Sequence, residues 1–585
     1  MSTLVERIKL SILINSCITK IKKPSDMVVA GNFKNKGKFS DVFACNFDTS
    51  LTSGTKQYFC IKIIPISQSA KNNQHDTRFS TWRELMALRW CTMISKSHIT
   101  QNLPIIYDYF MIRDIPHLNK YIEIGTEHKR NKIGLKRYNI VLLNELSHMD
   151  IHTWVTHELP QSTMVDKSLK FEFEKYVDIW KQHQNYIRQY TLCIINDVLD
   201  ISPTVLDNLR RIKNTHYKKH RTAIDTIDKV LIHNGSHTVD EWYNAYFQIF
   251  SAVYVIQKKM KMFHNDLHWG NVLVTQINKN KKFDSINNSQ SDSNEHDNSG
   301  ENDERGNGYW KYVVDGVSYY IPNMGYIFKI WDFGLARSDY YVPMETWNSK
   351  IDPNKFQMMF EQEHNYEYDE IYRKVFGMDT IRISNIPKWC ANNNDDKFYG
   401  QCPIEFIEQF VKPIHKIVRD KKDTRPQILM LKLFGLYRHD KIGCLVSEHI
   451  AKQIIDFEKS VDIDTSKLVV GQLGLIKLNE VYKFVEINCL LPNERDKIQV
   501  LYERCPTTYT NIDVNRFYVL NRTIRTSYEI NNVPCLGVFD LDKKVNLVQR
   551  SGCGCDVINT THPMVQSITE YVDNFKRMEY SRRFD

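Results

Sequence analysis

Two short stretches hold the residues best placed by type and spacing to do chemistry together. His264-Asn265-Asp266-Leu267-His268-Trp269-Gly270-Asn271 runs straight into the apolar Val272-Leu273-Val274. Ile330-Trp331-Asp332-Phe333-Gly334-Leu335-Ala336-Arg337 comes later, with Asp332 placed 61 residues after Asn271. The five-residue step from Asp266 to Asn271 can aim a carboxylate at a hydroxyl and an amide oxygen at a metal ion. A second carboxylate that opens its own loop, Asp332, can hold the same hard divalent cation against phosphate oxygens. Neither stretch says much alone; the ordered pair does.

The chain around these stretches supplies elements that could position them. Tyr58-Phe59-Cys60-Ile61-Lys62-Ile63-Ile64 is a β-rich run with one lysine inside it. A lysine buried in an apolar strand is costly unless an anion pairs with it. Arg78 to Trp90 has helical periodicity, with Phe79, Trp82, Leu85, Met86 and Trp90 towards one side and Glu84 among them. Leu103–Phe110 and Tyr138–Asn144 read as further strands of a small antiparallel sheet. Glu241 to Met262 is a long apolar helix that would deliver the Asp266 loop. Tyr309 to Pro322 forms two β-like runs around Asp315-Gly316, a hairpin signal.

The motifs and their order resemble those of protein kinases. His264 to Asn271 has the H-x-D-x-x-x-x-N form of that family's catalytic loop, and Asp332-Phe333-Gly334 is its D-F-G. The string from Asp266 to Leu273 looks most like haspin-type kinases. The contexts Tyr319–Pro322 and Gly325–Gly334 are similar to serine/threonine kinases of large DNA viruses. The resemblance implies a bilobal α+β fold, with a small antiparallel β lobe, a mainly helical lobe, inserts and an appended C-terminal α+β domain. It implies ATP and Mg²⁺ as cofactors, Asp266 as catalytic base, and Asn271 and Asp332 as metal ligands. Lys62 would orient the phosphates with Glu84, 22 residues on, as its partner. His268 stands where serine/threonine kinases usually carry a lysine for the γ-phosphate, and an imidazole could donate to the same oxygen with pH dependence.

Three further assignments rest on the same resemblance. Asn35 to Phe43 fits the frame of a Gly-rich loop, with Gly37, Phe39 and Val42 at family positions and Asn35 and Ser40 replacing two glycines. Asn144 takes the gatekeeper position, and Glu145 to Ser147 would offer backbone groups to adenine. Asp369, 37 residues after Asp332, suits the buried helix aspartate that braces a kinase catalytic loop, as readily as a surface position. The departures are also specific. Asn265 replaces the arginine that usually reads a phosphorylated activation loop, which implies activity without such phosphorylation, and no A-P-E follows Arg337. Two other readings stay open: a pseudokinase scaffold, and a small-molecule kinase of the aminoglycoside or choline kinase type, whose loop also reads H-x-D-L-H-x-x-N. Phe333 to Arg337 favours protein substrates, and the lack of an Ala-Ala-Arg-type loop favours Ser/Thr over tyrosine.

Composition bounds the rest. At 585 residues the chain exceeds one small core, and its 42% apolar and 25% charged content is that of a soluble globular protein. A net charge of +9 is mild for this length and does not point to nucleic acid. No apolar run approaches the roughly 18–20 residues a membrane span needs. Leu10 to Cys17 reads as a helix and not a signal peptide. Thirteen cysteines without paired C-x-x-C spacing fit reduced thiols and a cytoplasmic setting, in host cytoplasm or virion if viral, and Cys553-Gly-Cys555 reads as a loop. The expected layout is an extension over 1–30, a β lobe over 31–146 and a helical lobe over 147–436. That lobe would carry a helical insert at about 155–238 and a disordered polar insert at about 278–308. A C-terminal α+β domain over 445–585 would follow. The basic run Arg210 to Arg221 reads as a solvated helical face.

Overall fold

The computed structural model describes residues 4–18, 27–28, 33–36, 41–47, 57–113, 138–158, 167–196, 203–233, 237–277, 308–338, 379, 398–400, 402–419, 425–434, 437–438, 442–443, 445–456, 472–479, 481–491, 496–504, 507–520, 535–547 and 557–558, with a few single positions between them. The architecture is α+β, with mainly antiparallel sheets and helices that pack on them.

The first sheet contains β1 (Met27–Val28), β2 (Phe33–Lys36), β3 (Asp41–Phe47), β4 (Tyr58–Ile66), β5 (Ile106–Arg113) and β6 (Tyr138–Glu145), in the order β1-β3-β4-β6-β5 with β2 on β3. β4 is rich in isoleucine and buried along nearly its whole length, as a β-branched central strand covered on both faces should be. The Ser80–Lys96 helix buries Trp82, Leu85, Leu88 and Cys91 in the same core, and its Glu84 meets Lys62 of β4. Helix α1 (Leu4–Ile18) buries Leu4, Arg7, Leu10, Ile14 and Cys17, a 3–4 residue spacing that forms one face. The segment expected as an extension over 1–30 therefore contributes a helix to the main core.

The Val239–Met260 helix is the spine of the helical part. It starts with a capping box between Thr238 and Glu241 and ends on Lys261 in the left-handed region. Its apolar residues, from Trp242 to Ile256, are buried almost without interruption. Beyond it, Met149–Asp150, Val272–Gln276 and Tyr326–Ile330 form a three-stranded antiparallel sheet in which Val272 faces Ile330. Tyr309–Val314 and Val317–Pro322 form the expected hairpin, with positive φ at both Asp315 and Gly316. Apart from Gly308, the polar insert at about 278–308 lies outside the described residues. The region of the helical insert contains two long helices, Lys167–Asn196 and Pro203–His233. They share a core of Phe173, Trp180, Ile224, Ile227 and Val230.

A six-stranded antiparallel sheet, from Leu445–Ser447 to Phe517–Val519, forms the C-terminal unit, with a small apolar cluster on each face. Two later segments, in the stretch expected as a C-terminal α+β domain over 445–585, pair outside that sheet. Cys535–Asp540 adds parallel to Tyr309–Val314, and Val557–Ile558 adds parallel to β5. Both cover strand edges that would otherwise present unpaired backbone groups. No helix among the described residues is long and apolar enough to cross a membrane. The described cysteines, Cys17, Cys45, Cys60, Cys91, Cys402, Cys489 and Cys535, are all free thiols.

Candidate active site

Strand register sets the first group of charges. Lys62 lies between Val42 on β3 and Leu142 on β6 and is 4% exposed. Its Nζ donates to Glu84 Oε1 at 2.5 Å and to Asp332 Oδ1 at 3.4 Å. The Lys62 and Glu84 side chains are sealed, whereas that of Asp332 is 41% exposed. Burial alone would lower the lysine's pKa, but Asp332 and Glu84 together hold it well above its ordinary value. Burial pushes the Glu84 carboxyl up to about 7; Lys62 pulls against this and the Asp332 charge adds to it. For Asp332 the effect of burial is outweighed by Lys62, His264 and the Gly334 amide, and its carboxyl sits below the usual range.

The Asp266 loop is fixed by hydrogen bonds from several directions. The backbone amides of His264 and Asn265 donate to Asp379 Oδ2 and Oδ1 at 2.9 and 3.0 Å. His264 is buried; its Nε2 lies 2.8 Å from the Trp331 carbonyl and its Nδ1 accepts from the Asp266 amide. That pair of contacts sets the tautomer with the proton on Nε2. Asn271 Nδ2 donates to the Asp266 carbonyl at 2.7 Å and to Asp266 Oδ2 at 3.3 Å. The side-chain oxygen of Asn271 is then the atom it can present elsewhere. The Trp331 amide donates to Asn271 O at 2.9 Å, so the Val272–Ile330 pairing continues one step and carries Asp332 alongside the loop. Asn265 (φ 61) and Asp332 (φ 62) both adopt left-handed backbone. Such strain persists only where the surroundings over-determine it.

His268 accepts the Gly270 amide on Nδ1 at 3.1 Å, which leaves Nε2 as the protonated nitrogen, 3.8 Å from Asp266 Oδ2. Arg83, on the same helix as Glu84, donates to the Gly334 carbonyl at 3.0 Å and so grips the Asp332 loop from the sheet side. Among the described residues no group of three or more His, Cys, Asp or Glu could hold a metal. The amide oxygen of Asn271 and the half-open carboxylate of Asp332 are oxygen donors of the kind hard divalent cations take.

The structure thus brings Lys62, Glu84 and Asp332 together, and Asp266, His268 and Asn271 into one loop beside them. Val42 faces Lys62 in register, while Gly37 and Phe39 lie outside the described residues. Most of the polar groups of Glu145 are engaged within the chain. Its amide donates to Ile105 O, and its buried carboxylate is taken by Arg7 and Lys329, which leaves at most its carbonyl for an adenine. Ser147 is nearly buried, its hydroxyl 3.5 Å from that of Thr275. Asp369 and Cys553-Gly-Cys555 lie outside the described residues. The brace on the Asp266 loop is Asp379, ten residues after Asp369. A signal for it did exist: Asp379 is the single acid between Glu370 and Asp395. Arg83 carried none, being one of two arginines on the Ser80–Lys96 helix.

No protein-family model matches the chain. Three viral proteins are similar to it. An uncharacterized protein of Acanthamoeba polyphaga mimivirus is 24% identical over 384 residues, 64% of this chain and 44% of its own length. A protein of Invertebrate iridescent virus 6, named as a probable serine/threonine-protein kinase, is 30% identical over 117 residues, 20% of this chain and 17% of its own. A further mimivirus protein, provisionally named a serine/threonine-protein kinase, is 26% identical over 157 residues, 26% of this chain and 29% of its own. The chain spans less than half the length of each of these relatives. It is, over those segments, similar to proteins of large DNA viruses named as serine/threonine kinases.

Proposed function

We propose that the chain is an ATP-dependent protein kinase that transfers the γ-phosphate of Mg-ATP to serine or threonine hydroxyls. In this reading the β1–β6 sheet with the Ser80–Lys96 helix is one lobe, and the part built on the Val239–Met260 helix is the other. The observation that carries it is the joining of two charge sets. The buried Lys62–Glu84 pair reaches the half-open Asp332, whose loop is bonded through Trp331 to Asn271 in the Asp266 loop.

Asn271 and Asp332 would hold Mg²⁺, and the bound metal nucleotide supplies a charge-neutralised phosphoryl group for transfer. The chain's residues supply position and electrostatics, which are most of what phosphoryl transfer asks. Lys62 stays cationic in an apolar strand and so offers phosphate oxygens a fixed positive charge. Asp266, oriented by Asn271 Nδ2, accepts the proton of the attacking hydroxyl. His268 donates from Nε2 into the same space. Asn265 spends its side-chain amide on the Leu335 carbonyl and couples the two loops directly, in line with activity that needs no phosphorylated activation loop. Names of relatives that include protein-kinase activity favour a polypeptide acceptor over a small molecule.

Transfer of labelled γ-phosphate to basic and acidic protein substrates, with Mg²⁺, tests this. Wild type is expected to transfer, and Asp266→Asn and Asp332→Asn are each expected to lose about 10²-fold or more. ATP binding without transfer by wild type would turn the reading to a scaffold. Transfer that persists in both variants would remove the assignment.

A further inference from the structure

The helical insert carries a cavity that the proposed chemistry does not use. Near Trp180 its two helices pack through an apolar core, but further along their contact becomes polar and aromatic. There Gln182 and Tyr186 of one helix face Arg211, Ile212, Thr215, His216, Lys219 and His220 of the other, around a cavity of about 510 Å³. Arg211, Thr215 and Lys219 fall at four-residue steps, as do Ile212, His216 and His220, so two adjacent rows of one helix form the wall. The helix departs from helical dihedrals at His220 itself.

The lining is cationic and lacks its counter-charge. Arg211 and Lys219 both face the cavity, no carboxylate lines it, and neither has a carboxylate partner among the described residues. His216 keeps both ring nitrogens away from solvent with no hydrogen-bond partner, and so does Nδ1 of His183, which is 5% exposed and stacked on His216. Burial, together with His220 and Lys219, holds His216 below its ordinary value; burial, with His216 and Lys213, takes His183 down to about 4. A cation would therefore be repelled, and no three-residue metal cluster exists among the described residues. An anion would meet a guanidinium fork, an ammonium, a threonine hydroxyl and the histidine rings. Arginine forks suit phosphate geometry. The volume is in the range of small-ligand pockets and exceeds what a bare ion needs, and the exposed Ile212 gives its lining an apolar patch.

We propose that this cavity binds a phosphomonoester, with the phosphate held by Arg211 and Lys219 and its organic body lying over Ile212 and Tyr186. The site is separate from the Lys62–Asp332 centre and does not depend on the kinase reading.

Titration of the full chain with inorganic phosphate, O-phosphoserine, a phosphoserine peptide and its unphosphorylated counterpart tests it, followed by calorimetry and by the histidine ring resonances. The phosphorylated probes are expected to bind and shift His216 and His220, and the unphosphorylated peptide is not. Arg211→Ala and Lys219→Ala are each expected to weaken binding about tenfold or more, with the circular dichroism of the folded chain unchanged. Binding of phosphopeptide alone assigns the site to phosphorylated polypeptide; equal binding of O-phosphoserine assigns it to small phosphorylated molecules. Failure of every phosphorylated probe, or binding that both variants leave intact, overturns the proposal.

Discussion

Two buried charge networks lie three residues apart along one segment, and they are built on opposite principles. In the first, one cation, Lys62, is shared by two carboxylates, Glu84 and Asp332, and one of the carboxylates is half open to solvent. In the second, two cations, Arg7 and Lys329, share one carboxylate, Glu145, and all three side chains are sealed, at 4%, 1% and 5% exposed. Arg7 holds Glu145 in a two-point fork at 2.7 Å and also donates to the carbonyls of Gln101 and Leu103. The Ile105 amide completes Glu145. The second network keeps all its charged groups away from solvent, and it ties α1, β6 and the Tyr326–Ile330 strand together. The first carries surplus negative charge towards an opening. A sealed network holds structure, whereas one with a carboxylate at an opening can meet what comes from solvent.

The sharpest way to break this contrast is Glu145→Gln. It leaves Arg7 and Lys329 buried without their anion, and a guanidinium cannot give up its proton to relieve the strain. The expected loss is about 3–5 kcal/mol of unfolding free energy, the usual cost of a buried pair broken from one side, read from denaturant curves. A loss below about 1 kcal/mol would mean that water reaches the network and that it is not sealed.

Lys62→Met should behave in the opposite manner. Its partner Glu84 has a carboxyl already raised to about 7 and neutralises readily once Lys62 is gone. The stability cost is expected to stay under about 2 kcal/mol, while phosphotransfer falls by about 10²-fold or more. The pH dependence has a definite sign. A carboxyl raised above its unfolded value contributes stability that is full below about pH 4.5 and is lost as pH rises through about 7. Glu84→Gln should flatten that slope. A Lys62→Met variant that unfolds outright would place this network with the structural one.

What the sequence made legible follows the same division. Lys62, Glu84, Asp266, Asn271 and Asp332 stand in short motifs whose order along the chain carries their meaning. The Arg7–Glu145 pair is 138 residues apart, and nothing local to either residue names the other. One clue was available, because Arg7 falls on the same helical face as Leu4, Leu10 and Ile14, where a charge needs a partner. Asp379 went unread for a related reason. Spacing pointed to Asp369, but what selects the brace is a burial site for one carboxylate beneath two amides, and that is a tertiary property. The return of Cys535–Asp540 and Val557–Ile558 to sheets formed much earlier in the chain was hidden likewise, since an open strand edge becomes visible only once the sheet exists.

The smallest expected effect belongs to Lys329, the second cation of the sealed network. Burial lowers its pKa to about 8, against the pull of Glu145 and with the Arg7 charge adding to the fall. A lysine depressed in this way binds its proton less well folded than unfolded. Stability should therefore rise with pH between about 8 and 10.5 and be lost again as pH falls through about 8. Lys329→Met removes the ammonium and leaves the Arg7–Glu145 fork intact. Near pH 7 it should change stability by less than about 1.5 kcal/mol, in either direction, and it should erase the rise above pH 8. Unfolding curves at pH 7 and pH 9.5 would show it. If the variant matched Glu145→Gln in severity, Lys329 rather than Arg7 would be the partner that matters. The comparison would then rest on a lysine in both networks, and the contrast in openness would be all that separates them.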